Sequence, residues 1–329
     1  MTNRRQFLAC TASALAASAL PWAGSHAQAW PSRPIRIIVP LPPGGGSDYL
    51  ARLLAERLQP VLGQPLIVEN RVGADGRIGI EHAMRQAPDG HTMLIIANAQ
   101  VVQPALFPKL PYDITVDFDP VSLIAHLAIV LLVHQSTPVN SVREYIALAK
   151  ARPGYVTFGS SGFGSPFQLG GELLKSMAGV DMLHVPYKGS SQVTTALLAG
   201  EVMSAFAPMH SAFLPHIQSG RLRALGMVTA KRSPLLPEVP TIAESAPLPG
   251  YALESWMGVV MPAGTPRAII ERFSSAIAAL VQDPAFAQAK LLPEGWDPVG
   301  STPGELAAFI KAGIAKYAKI VKDAKIVVE

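Results

Sequence analysis

A single cysteine, Cys10, is all that the chain contains, and it falls within the first 29 residues. One thiol supports neither a disulfide framework nor a thiolate metal site, so both are excluded. Charge is scarce: 15% of residues are Asp, Glu, Lys or Arg, and the formal balance is only +4. That excess is too small to point to nucleic acid or an anionic membrane as partner. Past residue 29 the longest apolar run, Leu127 to Val133, has the length of a buried strand and falls well short of a membrane span. Motifs of catalysis are missing as well. There is no H-E-x-x-H, the eight histidines show no ligand spacing, and no phosphate loop ends in Gly-Lys-Ser or Gly-Lys-Thr. A nucleophile elbow of G-x-S-x-G type fails at Gly159-Ser160-Ser161-Gly162-Phe163, where Phe163 takes the place of the second glycine. What remains calls for no metal and no cofactor.

What is present begins with a leader. Asn3-Arg4-Arg5-Gln6-Phe7-Leu8 is a basic segment of twin-arginine type, also compatible with the general secretion route, and Leu8 to Leu20 is an Ala-rich apolar stretch. Ala27-Gln28-Ala29 or Ser25-His26-Ala27 then offers a small-residue cleavage site. Cys10 lies too close to Met1 to be a lipobox cysteine. Residues 1–29 are therefore expected to be removed, leaving a periplasmic chain without cysteine and with a charge of about +2. About 300 residues are enough for two domains with separate cores.

Short apolar runs alternate with amphipathic segments, which argues for mainly parallel sheets flanked by helices, an α/β fold. Strands are predicted at Ile35–Val39, Leu66–Glu69, Met93–Ala97, Ala128–Val133, Val156–Phe158, Met203–Phe206, Leu222–Val228 and Met257–Met261. Capping boxes at Ser141, Ser165 and Thr302 announce helices, Thr265-Pro266 opens another, and Gly200 closes one. Two segments, Leu123–Val133 and Tyr251–Pro262, read as long strands crossing between domains. The expected division is residues 30–127 and 253–329 for a discontinuous first domain, and 128–252 for an inserted second one.

Two loops share one design. Ile35–Val39 runs into Pro40-Leu41-Pro42-Pro43-Gly44-Gly45-Gly46-Ser47-Asp48, then into a helix with apolar positions Leu50, Leu53, Leu54, Leu58 and Val61, capped by Ser47 or Asp48. Val156–Phe158 runs into Gly159-Ser160-Ser161-Gly162-Phe163-Gly164-Ser165-Pro166 and a helix bearing Leu169, Leu173, Leu174 and Met177. Neither loop carries Lys or Arg. Each presents free backbone N–H groups and a helix dipole, the elements of an anion cradle. Either loop alone reads equally as a tight turn needing positive φ. Two of them in separate domains imply a cleft holding an anion, with Pro43, Gly44, Gly45, Gly46, Ser47 and Asp48 on one side and Ser160, Ser161, Gly164 and Ser165 on the other. Asn98, Ala99 and Gln100, after a predicted strand, and His210 are further lining candidates. Asp48 and Ser165 also read as helix caps, Trp256 as packing, and Lys188 as a solvated charge.

The loop Pro42-Pro43-Gly44-Gly45-Gly46-Ser47-Asp48 resembles the first signature of the Bug family, the solute receptors of tripartite tricarboxylate transporters. Val68-Glu69-Asn70-Arg71, Pro88-Asp89-Gly90, Asp117-Phe118-Asp119-Pro120-Val121, the serine–glycine loop and His184-Val185-Pro186-Tyr187-Lys188-Gly189 resemble it too, as do Gly220 to Leu225, Leu236 to Thr241 and Pro262 to Pro266. The likeness covers nearly the whole chain after the leader, in order. It implies a type II-like, two-domain periplasmic binding protein, monomeric, that closes on a small organic carboxylate and delivers it to integral-membrane transporter subunits. It further implies that Pro43 to Asp48 and Ser160 to Ser165 hold the ligand carboxylate, largely through backbone groups and water. The chain departs from the pattern at Gln168 and His91, where the family often has histidine and tyrosine. It also departs at Ala207-Pro208-Met209-His210, where many members carry an aspartate suited to a ligand amino group. A plain or aromatic carboxylate is accordingly expected rather than an amino acid. The competing readings are a ligand sensor for a membrane kinase and a secreted hydrolase using Ser160, Ser161, His184, Asp181 or Asp48.

Overall fold

A computed structural model describes residues 30–107 and 109–323; the leader reading, with Cys10 and the cleavage site, lies outside the described residues. The strands are β1 (Ile35–Val39), β2 (Leu66–Asn70), β3 (Thr92–Ala97), β4 (Phe118–Leu127), β5 (Ile129–His134), β6 (Thr157–Ser160), β7 (Leu183–Pro186), β8 (Ser204–Pro208), β9 (Leu222–Met227), β10 (Ser255–Pro262) and β11 (Trp296–Pro298). The longer helices are α1 (Gly46–Leu62), α2 (Arg77–Met84), α3 (Asn98–Leu106), α4 (Val142–Ala151), α5 (Pro166–Ala178), α6 (Ser190–Ala199), α7 (Arg267–Val281) and α8 (Pro303–Asp323).

Two sheets organise these elements, one in the order β11-β4-β10-β3-β1-β2 and the other β7-β6-β8-β5-β9. Both are mixed, which corrects the expectation of mainly parallel sheets. In the first, β10 runs antiparallel to β3 and β4; in the second, β5 runs antiparallel to β8 and β9. Parallel neighbours need a crossover, as α1 and α2 supply around β1, β2 and β3. The strands β5 and β10 have no such helix before them and insert against the prevailing direction. The stretch Leu123–Val133 is two strands in two different sheets, broken at Ala128. There the Ala128 N–H donates to the Gly295 carbonyl at 3.2 Å, and the Ala128 carbonyl accepts from Met209 N–H at 2.8 Å. The other crossing segment becomes strand only from Ser255; before it, Tyr251 is fully buried and donates its hydroxyl to the Gly170 carbonyl at 2.8 Å.

Several helix ends follow the local chemistry, and the start of α1 departs from it. Ser141 and Ser165 cap α4 and α5, Thr302 and Glu305 form a reciprocal box at α8, and Gly200 ends α6 at φ 75°. At α1 the cap is Gly45, without a side-chain bond, and neither Ser47 nor Asp48. On the same helix Val61 points outward, 61% exposed, and Leu62 takes the buried place instead.

Asn98 ties three segments together. Its Nδ2 donates to the Glu254 carbonyl at 2.6 Å and to the Tyr317 hydroxyl, and its Oδ1 accepts from Trp256 N–H at 2.9 Å. All of this is out of contact with water, since Asn98 is 0% exposed. Replacing Asn98 by Ala strands the Trp256 N–H in the core, and a buried group left unpaired costs about 1–3 kcal/mol. The variant is expected to lose at least about 2 kcal/mol in urea unfolding once the bond to Tyr317 is counted. A loss below about 0.5 kcal/mol would contradict this pinning role.

Candidate functional site

The first loop leaves the C-terminal end of β1 and closes onto α1. Only Gly44 of its three glycines takes positive φ, at 80°; Gly45 is extended at φ −89°. Gly46 is needed for space, because a Cβ there would lie 2.9 Å from the buried Trp296 ring. Asp48 turns back on the loop: Oδ2 accepts from Gly44 N–H at 3.0 Å and from Arg52 Nε at 2.9 Å. Burial by itself raises the carboxyl pKa. The hydrogen bonds from Arg52, Gly44 and Asn70 outweigh that, so Asp48 is held below its ordinary value and stays charged. Asp48 Oδ1 and Ser47 Oγ are buried with no partner. The N–H groups of Gly46 and Ser47 open the helix and have no carbonyl one turn back within it.

In the second loop nearly every polar side chain is already engaged. Gly159 and Ser160 belong to β6, and Ser160 is 0% exposed. The Ser160 hydroxyl lies 2.6 Å from His184 Nε2 on the neighbouring strand β7, and it also accepts from Gly162 N–H at 3.3 Å. The His184 ring stacks on Phe158 at 5.0 Å and meets the edge of Phe163 at 5.5 Å. Desolvation, helped by Lys175, pushes the His184 pKa down to about 4, so the ring is neutral. The Ser165 hydroxyl donates to the Gly162 carbonyl at 2.7 Å and caps α5, while Gln168 Oε1 accepts from Gly164 N–H at 2.7 Å. The half-buried Ser161 makes none of these bonds.

An element of the first sheet's layer, α3, reaches the second loop. A Cβ on Gly164 would lie 3.0 Å from Leu106 Cδ1, so the end of α3 touches the second loop. Of the other candidates, Asn98 is spent on the core, Ala99 is half-buried and Gln100 is fully buried. Gln100 Oε1 accepts from Ala97 N–H at 2.8 Å, and its Nε2 has no partner. His210 is half-buried, tilted on Phe213 at 4.4 Å, and desolvation lowers its pKa. It sits beside the crossover, where the Met209 carbonyl passes so close to Gly295 that no Cβ fits. Trp256 is packing, 1% exposed with its edge on Phe309, and Lys188 is exposed. His91 lies at the start of β3, on the sheet edge away from the loops, with Nδ1 3.2 Å from Asp89. Its departure from the family pattern therefore falls outside the site. Among the described residues no group of three or more His, Cys, Asp or Glu is placed to hold a metal ion.

One feature beside the first loop was not read from the sequence. Gly73, Ala74, Asp75 and Gly76, after β2, all have positive φ, from 48° at Ala74 to 129° at Gly73. Ala and Asp rarely adopt this conformation. Gln103 holds it by donating Nε2 to the Asp75 carbonyl at 2.7 Å. The two glycines flanking Ala74-Asp75 were the only signal, and glycine pairs are too common to single out such a turn.

Comparison with known proteins identifies the family. The model of the tripartite tricarboxylate transporter family receptor matches residues 50–326. Protein BugT of Bordetella pertussis is 38% identical over 299 residues, covering 90% of this chain and 91% of its own. An R. palustris protein solved with adipate superposes with a TM-score of 0.84 at 36% identity, covering 91% of this chain and 99% of its own. MatC from Rhodopseudomonas palustris, solved with bound malate, gives 0.80 at 29% identity, covering 89% and 100%. The fold is that of the two-domain periplasmic binding proteins. With the family match spanning most of the chain, the protein belongs to the receptors of the tripartite tricarboxylate transporter family.

Proposed function

We propose that this receptor captures one carboxylate of a small organic acid between its two loops and hands the acid to integral-membrane transporter subunits. It acts as a monomer exported by the leader in residues 1–29, with domains at 30–127 plus 253–329 and at 128–252. The observation that carries this reading is the pair of loops without cationic side chains. Each ends at a helix N-terminus, and Leu106 brings α3 of one domain against Gly164 of the other. Helix N-termini and oriented N–H groups bind anions without a formal charge. Because Ser160, Ser165 and Gln168 are committed to their own loop or the strand beside it, the donors left for a ligand are backbone N–H groups and the hydroxyls of Ser161 and Ser47. Relatives solved with adipate and malate support a carboxylate as cargo.

The same geometry speaks against a hydrolase. Ser160 and His184 stand at hydrogen-bond distance, as a nucleophile and base would. However, Ser160 is fully buried, so its hydroxyl meets no substrate carbonyl, and His184 makes no hydrogen bond to an acid among the described residues. The pair locks the second loop from behind.

A thermal-shift screen of organic acids identifies a binder, and calorimetry then tests the cradle. Gly44→Val places a branched residue at φ 80° and should weaken binding at least tenfold. Ser161→Ala should cost about 0.5–1.5 kcal/mol, and Lys188→Ala should change nothing. Loss of binding in the Lys188 variant with an intact Gly44 variant would replace the cradle by a charge clamp.

The lock also predicts a pH dependence. The pKa of His184 is depressed from 6.5 to about 4 in the fold. Its contribution to stability is therefore complete above pH 6.5 and is lost as pH falls toward 4, by up to about 3 kcal/mol. Melting temperatures of wild type and His184→Gln should accordingly converge between pH 7 and pH 4. A constant gap between them would show that the ring is not desolvated.

A further inference from the structure

A balance of +4 over the whole chain conceals how unevenly the charge is spread. Between Glu305 and Asp323 the helix α8 has no acidic residue and no arginine, yet it carries Lys311, Lys316, Lys319 and Lys322. At about 3.6 residues per turn, these four lysines fall within an arc of about 140°. Leu306, Ile310, Tyr317 and Val321 point the other way and are buried, where α8 packs on α3 and β4. Tyr317 fixes the rotation of the helix, since its hydroxyl donates to the Glu254 carbonyl at 3.0 Å. The lysines are thereby held on the outside.

That outer face is chemically uniform. Every exposed residue from Ala307 to Lys322 is alanine or lysine. Among the described residues only Lys319 has an ion-pair partner, Asp323, at the end of the same helix. Such a composition discriminates between kinds of partner. Protein interfaces bury aromatic residues, methionine and arginine at their centres and are depleted in lysine and alanine. A bilayer with anionic headgroups needs no such anchor, because its surface potential attracts lysine ammonium groups over about a Debye length. The face also lacks the exposed Trp, Phe or Leu that sink an amphipathic helix among acyl chains. The contact it offers is adsorption without insertion.

We propose that α8 is a membrane-contact surface whose lysine face adsorbs reversibly to anionic phospholipid headgroups. Each lysine close to such a bilayer strengthens binding about fivefold, so four together make an attachment that salt reverses. No residue of α8 belongs to either loop, and the proposal does not depend on the receptor reading. For such a receptor, adsorption confines the search for membrane subunits to a surface.

Cosedimentation of the mature protein with phosphatidylcholine vesicles, with or without about 30 mol% phosphatidylglycerol, tests this. Wild type is expected to bind the anionic vesicles at about 50 mM salt, to lose at least about tenfold in affinity at about 300 mM, and to ignore neutral vesicles. Neither measurement needs a variant. K311A/K316A/K319A/K322A keeps the helix propensity of the face and should weaken binding at least about tenfold. K109A/K150A/K188A/K231A removes the same charge from exposed lysines elsewhere and should stay within about twofold of wild type. Equal loss in the two variants means that net charge alone attracts the protein, and it overturns the role of α8. Binding that ignores salt, or that is as strong on neutral vesicles, overturns it too. If wild type ignores both lipid vesicles but adheres to inner-membrane vesicles through the same lysines, the partner is an acidic protein segment and the lipid proposal fails.

Discussion

The two sheets are tied to each other through one short stretch of backbone at Ala128. The chain passes from the first sheet to the second in a single residue, whose N–H is held by Gly295 and whose carbonyl is held by Met209. Gly295 has to be glycine, because the Met209 carbonyl occupies the place of its Cβ. Strands β4 and β5 are thereby joined without slack, and a longer linker would loosen the two sheets that backbone hydrogen bonds now hold together around a single residue.

Within that frame the loops are economical. Asp48, Ser160, Ser165 and Gln168 are the polar side chains a motif search would assign to a ligand, yet each bonds its own loop or the strand beside it. This is what a backbone cradle requires. Free N–H groups bind an anion well only when the turn that carries them is rigid, since ordering a loop at the moment of binding costs conformational entropy. The side chains of the signature thus act largely by holding the peptide planes in place. His184 belongs to the same logic: a neutral, stacked ring fixes the hydroxyl that fixes Gly162.

Local chemistry along the chain was enough for much of this. Apolar runs marked most strands, Ser141, Ser165 and Thr302 marked helix starts, and glycine-rich turns marked the two strand-to-helix loops, because each signal resides in adjacent residues. Three kinds of feature were not legible. Strand direction in β5 and β10 depends on how the chain enters a sheet, which apolar periodicity does not record. The short strands β7 and β11 lack an apolar run. The partners of Asn98 and Ser160 lie far along the chain, at Tyr317 and His184. The sequence by itself determined the α/β class, the two glycine-rich loops that run from a strand into a helix and the absence of a built-in cation within them. Tertiary structure decided which side chains are spent on holding those loops and which are left to face a ligand, because a hydrogen bond is assigned by proximity in space and not by order along the chain.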